Sequence, residues 1–238
     1  APKAPGGSMI YGQAEPSGRS SPLSLFADAM RRRGSIMGNE AASTLVAKLG
    51  RLIPREVGPV ERDQALSGLA RLVGAHLPDL YATTAPAEVA RGSTEDRAAR
   101  RRARLALQDV LTAYAANAPT VLLLEDAHLA DDLSLELIRD LLTAETRVPL
   151  YVVLFGRPEL MAHGREILAG VPAERRTEVS LEPLGAPEIE AIASAWLGER
   201  LNPRFAGLLY ERTGGNPYYL EETLRAVDDR RAPEARSW

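Results

Sequence analysis

The residues best placed to do chemistry in this chain lie in Val121-Leu122-Leu123-Leu124-Glu125-Asp126-Ala127-His128-Leu129-Ala130-Asp131-Asp132, where an apolar run meets two carboxylates. An uninterrupted apolar run bounded by Pro119 and by acids suits a parallel strand buried on both faces, where in/out alternation disappears. Chemistry in such sheets gathers at the carboxyl ends of the strands, which is where Glu125 and Asp126 stand. Hard carboxylate oxygens there can hold a hydrated Mg²⁺, and the second acid can orient or deprotonate a water. The plainer alternative is that the two acids only cap the helix that follows. A second apolar run, Leu150-Tyr151-Val152-Val153-Leu154-Phe155, follows Pro149 and ends in Gly156-Arg157-Pro158-Glu159. Strand, helix, strand predicts a buried parallel pair joined by a right-handed crossover. Arg157 then falls at the same edge as the acids, a cation where two anions and a phosphate would meet.

Composition excludes several other chemistries. With no cysteine there is no disulfide framework, thiolate metal site or cysteine nucleophile. His76, His128 and His163 are the only histidines and none forms a ligand pair of zinc-enzyme spacing. No Gly-x-Ser-x-Gly elbow occurs. A formal net charge of −3 gives no general electrostatic reason to bind nucleic acid or an anionic membrane. No run approaches the ~18 apolar residues of a membrane span and no signal-peptide core opens the chain, so a cytoplasmic protein is expected.

The elements that must position these residues are punctuated by Pro, Gly and capping side chains. Met9-Ile10-Tyr11 reads as a short strand ending at Gly12, with a loop from Gln13 to Ser20. Ser21 and Pro22 predict a helix carrying Leu23, Phe26 and Met30 to a stop at Gly34. Asn39 predicts the cap of a second helix through Leu52. Pro59 predicts the start of a third through His76, which is read as structural. Ser93 with Asp96 opens a long helix with Leu107, Leu111 and Tyr114 as its apolar stripe. Arg97, Arg100, Arg101, Arg102 and Arg104 on that helix are read as a solvated face in preference to a phosphate-binding patch, since no aromatic residue interleaves them. Asp131 or Asp132 caps the helix after the acidic strand. A third strand is expected at Glu178-Val179-Ser180-Leu181. From Gly185 the pattern is helical only, with Pro187, Asn202-Pro203 and Pro217 as helix starts. The expected division is an α/β core over 1–183, with a parallel sheet flanked by helices, and a small all-helical unit over 184–238.

Three stretches in this order resemble the AAA+/STAND type of P-loop ATPase found in bacterial signalling proteins and transcription regulators. They are Leu124-Glu125-Asp126-Ala127-His128-Leu129-Ala130-Asp131, a Walker B pattern; Gly156-Arg157-Pro158-Glu159; and Gly214-Gly215-Asn216-Pro217-Tyr218-Tyr219-Leu220-Glu221-Glu222. The resemblance implies that Glu125 faces Mg²⁺, that Asp126 lies nearest the attacking water and also near the metal, and that Arg157 senses the terminal phosphate. Gly215, Asn216 and Pro217, at the family's Gly-x-Pro position, would touch the adenine of ATP from a helical lid. Two positions depart from the pattern: Glu125 stands where aspartate is commoner, and Leu129 where tryptophan often follows the histidine.

The larger departure is that no Gly-x-x-x-x-Gly-Lys-[Ser/Thr] occurs, and neither Lys3 nor Lys48 sits in a glycine-rich turn. In the resembled fold the phosphate-loop strand lies between the strand expected at Val179 and the one at Leu150, so the fold is expected to be P-loop NTPase-like with its first strand missing, and the Glu178–Leu181 strand is expected to be unpaired or drawn to another neighbour. The expected reading is an internal piece of a longer ATP-binding signalling ATPase, inactive alone. Its implied partners are ATP or ADP, other domains of the same polypeptide and, left open, further copies of itself. The alternative is a degenerate, nucleotide-free interaction module that kept the fold.

Overall fold

The computed structural model describes residues 6–17, 21–74, 94–144, 148–161, 167–168 and 170–231. The chain divides into two compact units, Ala1–Arg175 and Arg176–Trp238. In the first, a sheet is built from β1 (Ser8–Gln13), β2 (Thr120–Glu125) and β3 (Leu150–Leu154), in that order and all parallel. Helices α1 (Ser24–Gly34), α2 (Ala42–Leu52), α3 (Pro59–Leu72), α4 (Thr94–Asn117) and α5 (Asp132–Thr143) accompany it. The core gathers Ile10, Leu25, Phe26, Met30, Leu107, Leu111, Leu122, Leu124 and Leu137. The apolar runs therefore become parallel strands, as their composition predicts.

Burial of the strands is less complete than their composition suggests. On β2, Leu122 and Leu124 are fully buried, whereas Val121 and Leu123 are only half-buried. No residue of β3 is fully buried and Tyr151 is exposed, because β3 is an edge with a single neighbour. The strand expected at Glu178–Leu181 does not form. That segment is exposed and has no ladder partner among the described residues, and an extended segment without a neighbour gains no inter-strand hydrogen bonds. Gln13, expected in a loop, is instead the last residue of β1.

Helix starts divide into local and non-local cases. α3 begins at Pro59 as its sequence predicts; His76, Ser93 and the Asp96 side chain lie outside the described residues. α2 begins at Ala42 rather than on an Asn39 cap. Upstream of it, the Glu40 carboxylate takes the Met37 and Gly38 N–H groups and the Lys48 ammonium. α1 begins at Ser24, after Leu23 in the left-handed conformation (φ 58°), and no Ser21 side chain caps it. Its acceptor comes from far along the chain. The Asp131 carboxylate takes the N–H groups of Leu23 (2.9 Å) and Ser24 (3.0 Å), and also the Ser24 hydroxyl (3.2 Å). The same carboxylate caps α5 through the Ser134 N–H (3.1 Å) and hydroxyl (2.6 Å). β1 and α1 approach closely because Gly12 has no side chain; a Cβ there would sit 2.9 Å from both the Ala29 Cβ and the Leu25 carbonyl oxygen.

On α4, Arg97, Arg101 and Arg102 are exposed, as a solvated face should be, while Arg104 turns inward to an ion pair with Asp140 of α5. The second unit is helical, with α6 (Ala186–Leu197), α7 (Pro203–Thr213) and α8 (Pro217–Arg231) packed around Ile189, Ala193, Leu201, Leu209, Leu220 and Leu224. Asn202 caps α7 by accepting the Arg204 N–H at 2.9 Å. Among the described residues no helix is long and apolar enough to cross a membrane.

Asp131 is buried, with 7% of its surface exposed, so truncating it strands several donors at once. Asp131→Ala is expected to lower stability by roughly 3 kcal/mol or more, since each unsatisfied buried donor costs about 1–3 kcal/mol. Asp131→Asn, which keeps one acceptor, is expected to lose less. Urea denaturation of the two variants checks the order, and equal small losses would contradict the shared-cap account.

Candidate functional site

The parallel register brings the ends of all three strands to one edge. Gln13 pairs with Glu125, and Leu124 with Leu154. The ladder continues beyond the strands: Ala14 N–H donates to the Glu125 carbonyl (3.0 Å), Phe155 N–H to that of Leu124 (2.9 Å), and Ala127 N–H to that of Phe155 (2.8 Å). Glu125 therefore ends β2 and Asp126 follows it, where Gly156 and Arg157 come just after β3. Asp126 adopts the left-handed conformation (φ 52°, ψ 33°), turning the chain out of the strand into a short 3₁₀ turn, Ala127–Leu129. Aspartate tolerates that conformation better than most residues, and strained backbone of this kind collects at functional sites.

Both acids are held from β1. The Tyr11 hydroxyl donates to Glu125 Oε2 at 2.8 Å, and Gln13 Nε2 donates to Asp126 Oδ2 at 2.9 Å. Behind them, the Gln13 N–H donates to Asp28 Oδ2 (2.9 Å), which also takes Arg32 Nε (2.7 Å). The Arg32 guanidinium lies over the Tyr11 ring, 5.1 Å from its centroid. Glu125 Oε1 and Asp126 Oδ1 have no protein partner among the described residues. Among the described residues no cluster of three or more metal-ligating side chains exists. Mg²⁺ needs no such cage, since it keeps several waters and takes one or two carboxylates plus phosphate oxygens. The pair of hard oxygens left unpartnered fits that donor set.

Arg157 is exposed and its guanidinium has no partner among the described residues. Its main-chain N–H lies 3.4 Å from His128 Nδ1, at the long end of a hydrogen bond, which sets the chain after β3 against the turn after β2. A small hollow opens beside that turn, lined by His128, Asp131, Asp132, Leu135 and Leu160.

Gly215, Asn216 and Pro217 belong to the second unit and have local roles there. Gly214 (φ 58°) and Gly215 (φ 76°) are both left-handed, ending α7. Gly215 packs against the Leu184 backbone and the Pro183 ring too closely for a side chain, and its carbonyl accepts the Leu184 N–H at 2.8 Å. Asn216 Oδ1 caps α8 through the Tyr218 N–H (2.9 Å), and Pro217 occupies the first helical position. Sequence reasoning missed Tyr11 and Gln13 as site residues. A signal was present for Gln13, a polar residue closing an apolar strand at the edge where chemistry gathers.

The model of a family described as the AAA ATPase domain matches residues 2–155. The match spans β1 to the end of β3; Arg157 and Gly215 to Pro217 lie beyond it. Searches of curated proteins and of solved structures each returned no significant match.

The Tyr11 hydroxyl is raised above its ordinary value of 10.0, first because it donates to the Glu125 carboxylate and then because burial disfavours the phenolate. A folded-state value above the unfolded one stabilises fully below about pH 10 and is lost as pH rises through the shifted value. Difference titration of tyrosinate absorbance between the wild type and Tyr11→Phe is expected to place Tyr11 above the ordinary value. Glu125→Gln is expected to bring it down. Ionisation of Tyr11 at the ordinary value in the wild type would mean the carboxylate contact is absent.

Proposed function

The chain belongs to the AAA ATPase domain family, and on that premise we propose that it supplies the acid, sensor and lid parts of an ATP-driven signalling or regulatory switch. The observation that carries the reading is the meeting of Glu125, Asp126 and the Arg157 backbone at one carboxyl edge, each acid keeping one oxygen without a partner among the described residues. In this reading Glu125 holds Mg²⁺, with Asp126 close by. Mg²⁺, when bound with ATP, supplies charge neutralisation across the phosphates. Asp126 orients the attacking water and accepts its proton. Arg157, whose guanidinium has no partner among the described residues, pairs with the terminal phosphate.

The phosphate cradle has to come from outside these residues, because the sequence holds no Gly-x-x-x-x-Gly-Lys-[Ser/Thr]. The two edges of the sheet support a place for it. On the outer side of β1, the Gln13 N–H is taken by Asp28 and the Met9 carbonyl by Arg33. On β3, by the alternation of a parallel ladder, the main-chain groups of Val152 and Leu154 face outward and have no partner among the described residues. An added strand bearing a phosphate loop fits the β3 side.

The second reading, a nucleotide-free interaction module, draws on the missing cradle and on the hydrogen bonds that Tyr11 and Gln13 already give both acids. Calorimetry separates the readings once the phosphate-loop strand is supplied: the ATPase module then binds Mg-ATP saturably, and the interaction module does not. The chain by itself is expected to show neither ATPase activity nor saturable Mg-ATP binding at micromolar concentrations. Tight binding that vanished in Arg157→Ala would instead mean a site complete without a phosphate loop. In the ATP-hydrolysing form, Asp126→Asn is expected to preserve ATP affinity and slow hydrolysis by about 10²-fold or more, in the range of lost general-base catalysis. Lost affinity at an unchanged rate would exchange the roles of Glu125 and Asp126.

A further inference from the structure

Helix faces that only meet water usually carry both signs of charge at three- and four-residue spacing, so that neighbours attract. α4 departs from this. From Arg97 to Arg104 it carries Arg97, Arg100, Arg101, Arg102 and Arg104 and no acid. At 3.6 residues per turn, Arg97, Arg101 and Arg104 fall on one stripe, where like charges repel. Arg104 is offset by Asp140 of α5, an acid that also lies 3.8 Å from Arg139. Arg97, Arg101 and Arg102 are exposed, and their guanidiniums have no partner among the described residues. Leu105 lies one turn beyond Arg101 and Arg102, between their two directions around the helix, and 42% of its surface is exposed. An apolar side chain is thus flanked by two guanidiniums.

We propose that this side of α4 is a docking surface for a short acidic segment of a partner protein, whose carboxylates pair with Arg97, Arg101 and Arg102 and whose apolar side chain covers Leu105. Guanidinium groups match carboxylates through paired, charge-assisted hydrogen bonds. The surface is short: at 1.5 Å per residue Arg97 and Arg104 are about 10 Å apart along the helix, the reach of roughly three extended residues. Asp109, exposed four residues beyond Leu105, ends the basic stretch. A long polyanion or an anionic membrane extends past these limits and meets a chain of net charge −3, which repels it. No aromatic residue interleaves the arginines to stack a nucleic-acid base. Leu105 adds an apolar contact that a phosphate backbone leaves uncovered. Docking here requires no nucleotide.

The whole chain titrated into a fluorescein-labelled peptide of repeated Glu-Glu-Leu is expected to raise its anisotropy saturably, and less so as salt rises. Repeats of Gln-Gln-Leu are expected not to bind, and repeats of Glu-Glu-Ser to bind more weakly. Arg97→Gln combined with Arg101→Gln is expected to weaken binding by about 10-fold. Leu105→Ser is expected to weaken it with the salt dependence unchanged. Arg204→Gln combined with Arg212→Gln removes the same charge from exposed positions of the second unit and is expected to leave binding as it is. Should an α4 variant melt early, the wild type still decides, since amide NMR signals from Arg97 to Leu105 are expected to shift first as peptide is added. Absent saturable binding, equal losses in the two double variants, or shifts confined to other segments would overturn the proposal. So would tighter binding of duplex DNA or phosphatidylserine vesicles that is lost in the Arg97 and Arg101 double variant.

Discussion

One buried carboxylate sets the frame on which the edge is built. Asp131 lies just beyond the acidic strand and caps α1 and α5 together, although these helices begin more than a hundred residues apart. Each helix N-terminus presents N–H groups and a partial positive charge, so two of them converging on one anion are satisfied by a single group. α1 follows β1, and α5 follows β2. Fixing both helix starts at the same point therefore fixes where the two strands end relative to each other, and with that the distance Tyr11 and Gln13 must reach.

The sheet is asymmetric in a way that bears on function. α1 seals the outer side of β1 with Asp28 and Arg33, whose charged ends take main-chain groups that would otherwise pair with another strand. Among the described residues β3 has no such cover, and Tyr151 and Phe155 are exposed beside its open ladder. An uncovered apolar edge invites association with other chains unless a strand occupies it. On the ATPase reading proposed above, a strand bearing the phosphate loop would occupy this edge.

What could be read from the sequence follows the range of the forces involved. The apolar runs at Ile10, Leu122 and Val152 announce strands, because burial acts on composition directly. Asn202-Pro203 and Asn216-Pro217 announce helix starts, because cap and fixed φ act within a few residues. Glu125, Asp126 and Arg157 could be placed at one edge because each lies at or just beyond the carboxyl end of a strand of a parallel pair. The start of α1 could not be placed, since its cap is Asp131 and not the neighbouring Ser21. The strand expected at Val179 failed for a related reason: β-structure needs a partner, and local composition cannot supply one. Tyr11 and Gln13 escaped because their role exists only once β1 lies beside β2.

Electrostatics explains why such an edge needs more than its acids. Glu125 and Asp126 are held by neutral donors, so their charge is not offset by the groups that fix them. Arg32, which covers the Tyr11 ring from α1, is already bound to Asp28. A triphosphate approaching this edge meets two carboxylates, and Arg157 is the cation that follows β3. Like charges about 4 Å apart repel by roughly 4 kcal/mol at the effective dielectric of a protein surface. A divalent cation between acids and phosphates converts that repulsion into attraction, and N–H donors from a phosphate loop hold the remaining charge. On the proposed ATPase reading, the acids oppose nucleotide binding until cation and cradle are both present, and a cradle carried on the β3 edge would couple the two.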